Sequence, residues 1–398
     1  MKVACVGGGP ASLYFSVLMK LVDPSHDVTV YERNPAGSTY GWGVTYWEEL
    51  LEDLHGADPE SARAIRDGSV RWDSWSVHIQ DRVTVTLDHG DVSFGIGRHD
   101  LLGILAERAR SLGVRIEYER EIAGEEEVAD ADLVVAGDGI NSGLRERHAD
   151  HFGPEVAVGQ NFYTWLGTTK IFDTFTFAFV ETAHGWIWCY GYGFGKDHST
   201  CVVECFPEVW RGLGLDQANE ADSLAMLEKL FADILDGHAL IGRAQPDGSA
   251  HWLNFRTLTN RRWYRGNLVL LGDAAHTTHY SIGAGTALAL GDAAFLVDAL
   301  HKDTRLDHAL ARFERQRRSA IRPTQRAARY SARWYESLPR YIGLPPEQVF
   351  DLLGRRHSPL LAHLPPRLYY AMDRTGVQLM SLGSKIVPRR GGRRDSRR

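Results

Sequence analysis

The fold of this chain is decided at its start, where residues 2–22 read KVACVGGGPASLYFSVLMKLV. Residues 2–7 read as a short buried strand, and Ala11–Val22 carries apolar side chains near helical spacing. The apolar stretch Val28–Tyr31 follows as a second strand. A strand, a glycine-rich turn, a helix and another strand, in this order, predict an α/β, doubly wound Rossmann-like fold.

The glycine-rich turn is the first candidate cofactor site. It comprises Gly7, Gly8, Gly9, Pro10, Ala11 and Ser12. Glycines here allow a tight turn and let a pyrophosphate approach the helix N-terminus, with Ser12 as a small substitute for a third glycine. By itself the motif is weak, because NAD and FAD proteins share it.

An acidic residue strengthens this interpretation. Glu32 ends the second predicted strand, where a carboxylate can bind both hydroxyls of an adenosine ribose. Arg33, the next residue, is included in the predicted cofactor site. The alternative reading of Glu32 is a solvated surface glutamate.

Two later turns also follow predicted strands. Asp138 lies in GDGINSGLR (residues 137–145), directly after the apolar run Ala131–Ala136. Asp273 lies in GDAAH (residues 272–276), after the strand Asn267–Leu271, and a helix headed by Gly283, Ala284 and Gly285 comes next. An aspartate in such a turn can hold a ribityl hydroxyl, and the helix N-terminus offers N–H groups to negative charge.

In order and spacing, the three motifs resemble the signatures of the class A flavin monooxygenases. The resemblance implies a GR2-type FAD-binding fold, with Glu32 on the adenosine ribose, Asp273 near the ribityl and pyrophosphate groups, and Arg98 as a further FAD contact. It also implies that reduced FAD reacts with O2 to give a C4a-hydroperoxide that hydroxylates an aromatic substrate. Electrons would come from NADPH or NADH, either directly or through a partner flavin reductase.

A narrower resemblance covers nearly the whole chain. Stretches such as GWGV (residues 41–44), WLGTTK (165–170) and HTTHYSIG (276–283) are similar to the branch that contains anthraniloyl-CoA monooxygenase, the violacein-pathway hydroxylase and the xiamycin-pathway indole hydroxylase. The chain departs from that branch at Tyr280, where a proline is usual. It departs again at Ala287 and Gly291, where CoA-ester enzymes tend to carry lysine and glutamate. The additional reductase domain of the longer CoA-ester enzymes is not expected in this protein.

The middle of the chain is the predicted substrate lobe. Residues 161–206 are rich in aromatic and β-branched residues, which favours an antiparallel sheet. Trp186, Trp188, Tyr190 and Tyr192 alternate, so all four would project from one strand face. They either bind a flat arene above the flavin or pack the sheet against a helix.

The predicted loop after Asp273 supplies the candidate catalytic residues. His279 and Tyr280 could hydrogen-bond the substrate or the oxygenating species, or support the site from behind. His276 belongs to the family signature and is interpreted as structural.

The sequence predicts a multi-lobed organisation. Residues 1–160 form an FAD-binding lobe with a side-sheet insertion at about 42–95, and residues 161–260 form the β-sheet substrate lobe. The chain returns to the FAD-binding lobe at 261–305. A helical region follows at 306–387, interrupted by Pro323, and residues 388–398 are predicted to be a basic, disordered tail.

Composition and cysteine spacing indicate which partners, cellular location and metals to expect. A net charge of -6 and a pI near 6.3 argue against nucleic-acid binding. The start leaves no room for a signal peptide and no apolar run is long enough to span a membrane, so a cytoplasmic protein is expected. The four cysteines form no CxxC pair, so no metal site is predicted.

Together these features predict an FAD-dependent hydroxylase of an electron-rich arene. An indole or indole-derived natural-product intermediate, oxidised at C3, is the preferred substrate, and an aminobenzoyl-type or other arene is the alternative. A flavin halogenase is disfavoured because no lysine lies between Lys20 and Lys170. A simple NAD-dependent dehydrogenase leaves the two later motifs without a purpose. A non-enzymatic FAD-binding protein leaves the aromatic lobe unexplained.

Overall fold

The structure is a computed structural model that describes residues 1–39, 41–80, 83–243, 245 and 247–373. Its strands in chain order are β1 (Lys2–Val6), β2 (Asp27–Glu32), β3 (Gly43–Trp47), β4 (Val70–Ile79), β5 (Val83–Gly97), β6 (Arg115–Tyr118), β7 (Leu133–Ala136), β8 (Pro154–Thr168), β9 (Phe175–Thr182), β10 (Gly185–Gly193), β11 (Ser199–Cys205), β12 (Leu240–Ile241), β13 (Leu253–Asn260), β14 (Tyr264–Arg265) and β15 (Leu268–Leu270). The predicted tail at 388–398 lies outside the described residues.

The helices are α1 (Pro10–Val22), α2 (Glu48–Ala57), α3 (Pro59–Asp67), α4 (Arg98–Ser111), α5 (Gly143–Arg147), α6 (Ala149–Phe152), α7 (Pro207–Gly212), α8 (Glu220–Leu230), α9 (Ala232–Leu235), α10 (Gly285–Lys302), α11 (Leu306–Glu336) and α12 (Pro346–Gly354). Residues 366–373 are also helical. None of the helices in the described part of the chain is long and apolar enough to cross a membrane.

A six-stranded sheet carries the predicted Rossmann-like fold. Its order is β14-β15-β7-β1-β2-β6, and β1 lies in the middle, parallel to both β2 and β7. Helix α1 packs against α4 and α10, which covers the apolar central strands. Since the carboxyl ends of β1, β7 and β15 lie at one edge, the three turns that follow these strands meet there.

A larger sheet forms the second layer. Its order is β12-β8-β11-β10-β9-β4-β5-β3, and β13 pairs with β8. Strand β4 runs parallel to β9, so the segment predicted as a side-sheet insertion and the predicted substrate lobe are one continuous sheet. That sheet already includes Pro154, six residues before the predicted lobe boundary at 160, because β8 runs from Pro154 to Thr168.

Helix α11 differs from the sequence expectation. It continues without a break through Pro323 from Leu306 to Glu336. Proline removes one backbone donor and disfavours a helix interior. The buried face of α11, which includes Phe313, Ile321 and Trp334, packs on both sides of the proline, and this tertiary burial stabilises the continuous helix.

Candidate active site

The first glycine turn packs tightly against the second motif. Gly7 has a φ of +98°, and a Cβ at this position would lie 2.5 Å from the carbonyl oxygen of Gly137. Only glycine fits there without strain. Helix α1 then begins at Pro10 with no side-chain cap on its first turn. Its free N–H groups are therefore available to a pyrophosphate.

Glu32 lies beside this turn. Its carboxylate accepts a hydrogen bond from the backbone N–H of Gly8 at 2.7 Å and others from the backbone and side chain of Asn34. The carboxylate is therefore fixed at the end of β2, where the sequence predicted a ribose contact. Arg33 follows it and is exposed.

The second motif is tied to the third by Arg145. Its guanidinium is buried and donates to the carbonyl oxygens of Ile140 and Ala274, at 2.7 and 3.2 Å. Ser142 caps α5 by accepting from the backbone N–H of Arg145 at 3.1 Å, and the buried Oδ1 of Asp138 has no hydrogen-bond partner in the protein. Burial raises the pKa of Asp138, and the neighbouring polar groups of Ser142 and of the first turn of α5 oppose the shift. The motif thus closes its own turn and fixes the GDAAH turn next to it.

A buried ionic cluster supports the third motif. Asp292 on α10 accepts from the backbone N–H of Gly272, from His276 at 3.0 Å and from Arg317 at 2.5 Å. Burial alone would raise the pKa of Asp292, but His276 and Arg317 hold it below its usual value. His276 therefore has the structural position that the sequence indicated, since it is buried and stacked on Trp263.

Asp273 and the head of α10 form the next part of the site. The Asp273 carboxyl faces a cavity. Removal of the carboxyl from bulk water raises its pKa, and the charges of Arg98 and His276 oppose this shift. Arg98 lines the same cavity, and its buried Nε has no hydrogen-bond partner in the protein. Helix α10 begins at Gly285, after Gly283 and Ala284, with no side-chain cap.

These residues fit FAD. The fixed Glu32 carboxylate can bind a ribose, and the two uncapped helix N-termini can face a pyrophosphate and an electron-rich ring. The unpartnered Arg98 Nε is a further donor in the same cavity. Among the described residues no group of three or more histidine, cysteine or acidic side chains could hold a metal ion. The four cysteines are buried and free.

The cavity of about 480 Å³ extends from this cradle to the large sheet. The part of its wall that the large sheet and its neighbouring loop supply carries many aromatic residues, among them Trp72, Trp75, Tyr163, Trp165, Phe175, Phe177, Tyr190, Tyr192 and Phe255. A flat arene can pack against such walls with its faces and edges covered.

Strand β10 has the predicted alternation, but its four aromatic residues lie in two environments. Tyr190 and Tyr192 line the cavity. Trp186 and Trp188 lie in the buried cluster between the sheet and α11, and Trp188 stacks on Tyr335 with ring centroids 5.9 Å apart. The structure therefore brings only the two tyrosines to the cavity wall, and a role in substrate binding stays a prediction for all four.

His279 and Tyr280 also separate. Tyr280 lines the cavity, whereas His279 stacks behind it at 4.5 Å and caps the short turn Tyr280–Ile282 through Ser281. Burial lowers the pKa of His279 to about 3, so it is neutral at physiological pH. A neutral imidazole that lies behind the cavity wall suits a supporting role for His279. Tyr280, which lines the cavity, can reach a substrate.

Sequence reasoning missed two charged residues. Glu204 on β11 is buried, and its carboxylate accepts from the hydroxyls of Tyr280 and Tyr190 at 2.6 and 2.7 Å. Arg356, just after α12, lines the cavity with its guanidinium 5.7 Å from the ring centre of Trp75. The only sequence signal for Glu204 is a lone glutamate in an otherwise apolar strand, Cys201–Cys205.

A second cavity of about 750 Å³ adjoins the first. Both cavities share the wall residues Trp47, Trp75, Ile282 and Arg356. Ala287 and Gly291, the two positions at which the sequence departs from CoA-ester enzymes, lie in the wall of the second cavity. Arg317 packs directly on Gly291, since a Cβ at that position would lie 2.7 Å from its Nη2.

The fold and the site define a class of protein, the FAD-dependent aromatic monooxygenases. The chain belongs to the family described as FAD binding domain, whose model matches residues 1–328. FAD is its cofactor, and NAD(P)H is the reductant of the class.

The individual relatives act on aromatic substrates. The chain is 37% identical to a salicyloyl-CoA 5-hydroxylase from Streptomyces sp, covering 89% of this chain and 70% of that protein. It is 35% identical to 3-hydroxy-4-methyl-anthranilyl-[aryl-carrier protein] 5-monooxygenase from Streptosporangium sibiricum, covering 89% and 94%. It is 30% identical to protodeoxyviolaceinate monooxygenase from Chromobacterium violaceum, covering 94% and 100%.

A solved structure supports the fold. The 2-methyl-3-hydroxypyridine-5-carboxylic acid oxygenase (mutant C294A) superposes with a TM-score of 0.69 at 20% identity, covering 86% of this chain and 93% of the other. The three relatives named above are hydroxylases or monooxygenases, and none of the three is named as a flavin halogenase.

Proposed function

We propose that this FAD-dependent monooxygenase hydroxylates an aminobenzoyl- or hydroxybenzoyl-type ring that is attached to a larger group. The observation that carries the proposal is the aromatic cavity that joins the flavin cradle at Asp273 to the hydroxyls of Tyr190 and Tyr280. The relatives at 37% and 35% identity have benzoyl-type substrates in their names, which favours this ring over the indole preferred from the sequence.

The protein's own residues have three tasks in this reaction. Bound FAD, once reduced, supplies the oxygen chemistry when it meets O2. The aromatic walls orient the ring, and their burial keeps water from the reacting atoms. Tyr190 and Tyr280 present hydroxyl groups that can hydrogen-bond a ring substituent. The adjoining cavity of about 750 Å³, whose wall includes Ala287 and Gly291, has room for the rest of a larger substrate.

The test is turnover of matched arenes by the yellow holoenzyme with NAD(P)H and ¹⁸O-labelled O2. We expect one ¹⁸O atom in the product of a 2-aminobenzoyl or 2-hydroxybenzoyl thioester, and slower turnover of the corresponding free acids. If none of these compounds stimulates NAD(P)H oxidation or gains ¹⁸O, the benzoyl proposal is wrong.

An indole-derived substrate is the second candidate. It is favoured by the similarity to protodeoxyviolaceinate monooxygenase over the full length of that protein. The nucleophilic C3 of an indole needs no prior deprotonation. Expression in cells that make indole would give blue indigoid pigment if this candidate is correct, and absence of pigment together with efficient thioester turnover would exclude it.

A further inference from the structure

We propose that Glu204 is the proton acceptor for a hydroxyl substituent of the bound ring, acting through Tyr280. The inference rests on the proposed function, because it assigns this role at the same site. Glu204 lies on β11 opposite Trp188 of β10 and Tyr163 of β8, and its side chain does not line the cavity itself. Glu204 therefore does not touch the substrate, and it acts on the substrate through the hydroxyl of Tyr280.

The geometry of this group is a convergent hydrogen-bond network. One carboxylate oxygen, Oε2, accepts from both Tyr280 at 2.6 Å and Tyr190 at 2.7 Å. The other, Oε1, accepts from Asn161 at 2.6 Å. Trp188 donates to the hydroxyl of Tyr190 at 2.9 Å, so the network extends behind the wall. Tyr280 and Tyr190 line the cavity. Glu204 connects the two tyrosines, and only 1% of its surface is exposed.

Packing alone does not account for a carboxylate here. Glu204 is surrounded by aromatic residues and makes no ion pair with any residue that the structure describes. Burying an ionisable group without a counter-charge is costly, and an apolar side chain would fill the same space at lower cost. Three short hydrogen bonds offset part of this cost, which is the arrangement expected of a group kept for its charge.

The proton transfer balances without an oxidant or a reductant. The substrate O–H bond breaks and its proton passes to the Tyr280 oxygen, while the Tyr280 proton passes to Glu204 Oε2. Tyr280 ends neutral, Glu204 ends as a carboxylic acid, and the electron pair stays on the ring substituent. A deprotonated substituent makes the ring more electron-rich at the positions that the oxygen attacks.

The surroundings define the pH dependence. The ionisable groups that face Glu204 are Tyr163, Tyr190, Tyr280 and Tyr335, with Arg256 beside Tyr163 and Arg356 beside Tyr335. Burial raises the pKa of Glu204, and the hydrogen bonds from Tyr280, Asn161 and Tyr190 oppose the shift. Because the acceptor must be ionised, kcat should rise as pH rises through the pKa of Glu204 in the enzyme–substrate complex.

The decisive variant is Glu204→Gln, which keeps the shape but cannot take up the proton. We expect it to retain FAD and a similar KM, to lose on the order of a hundredfold in kcat, and to lose the acidic limb of the kcat profile. Tyr280→Phe should lose the same limb. Glu208→Gln, an exposed position on α7, is the matched control and should behave as the wild type.

A binding measurement separates this inference from the proposed function. A nitrophenol bound to the oxidised holoenzyme reports its own ionisation by absorbance, with no turnover needed. We expect wild-type and Glu208→Gln proteins to bind it as the phenolate, and Glu204→Gln and Tyr280→Phe to bind it as the neutral phenol. If Glu204→Gln keeps the wild-type kcat profile, or binds the phenolate equally well, the inference is wrong even where benzoyl hydroxylation is confirmed.

Discussion

At the scale of single residues, Asp292 shows how a buried acidic side chain supports the GDAAH turn from behind. Its carboxylate is fully buried and joins the GDAAH turn to α10 and, through Arg317, to α11. Removing one partner of a buried ionic pair leaves the other charge uncompensated, which typically costs about 3–5 kcal/mol.

We therefore predict that Asp292→Asn lowers the free energy of unfolding by about 3 kcal/mol, measured by urea denaturation near neutral pH. The control is Asp298→Asn on the same helix, whose pair with Lys302 is exposed and should change stability by under about 1 kcal/mol. Because the folded pKa of Asp292 lies below its unfolded value, about 3.9, its contribution is complete above that pH and is lost as pH falls through the folded pKa. Equal stability of both variants would contradict this assignment.

At the scale of elements, the β1–α1 turn depends on a glycine at residue 7. The positive φ of Gly7 and the nearness of the Gly137 carbonyl leave no room for a Cβ. A non-glycine residue in this conformation costs about 1–2 kcal/mol before any steric contact is counted.

Gly7→Ala should accordingly weaken FAD binding by about tenfold or more, measured by titrating the apoprotein and following flavin fluorescence. Gly143→Ala in the second motif is the control, because a Cβ there meets no atom within 4 Å. It should bind FAD as the wild type does. Undiminished binding by Gly7→Ala would show that the packing of this turn on Gly137 is not needed to bind FAD.

At the scale of the whole molecule, FAD should hold the two sheets together. The predicted FAD contacts come from loops far apart in the chain, at Glu32, Arg98 and Asp273, so only the folded protein can assemble them. A ligand that binds only the folded state adds about 2.7 kcal/mol of stability when present at a hundred times its Kd.

We predict that saturating FAD raises the melting temperature of the wild-type apoprotein by several degrees, followed by circular dichroism. Asp273→Ala should be isolated nearly colourless and should show a much smaller shift, because it lacks the predicted ribityl contact. Trp188→Ala should remain yellow, since Trp188 packs against Tyr335 away from the flavin cradle. A full thermal shift in Asp273→Ala would remove that residue from the cofactor site.

The sequence by itself determined the βαβ start, the three turns and the FAD class, because each depends on local requirements: positive φ, small side chains and uncapped helix starts directly after apolar strands. It also indicated the alternation of β10. Only the tertiary structure decided that residues 43–97 and 154–260 share one sheet, that α11 continues through Pro323, and that Glu204 meets Tyr190 and Tyr280. These features depend on strand pairing and burial between distant segments, and local periodicity has no information on which distant segment lies opposite.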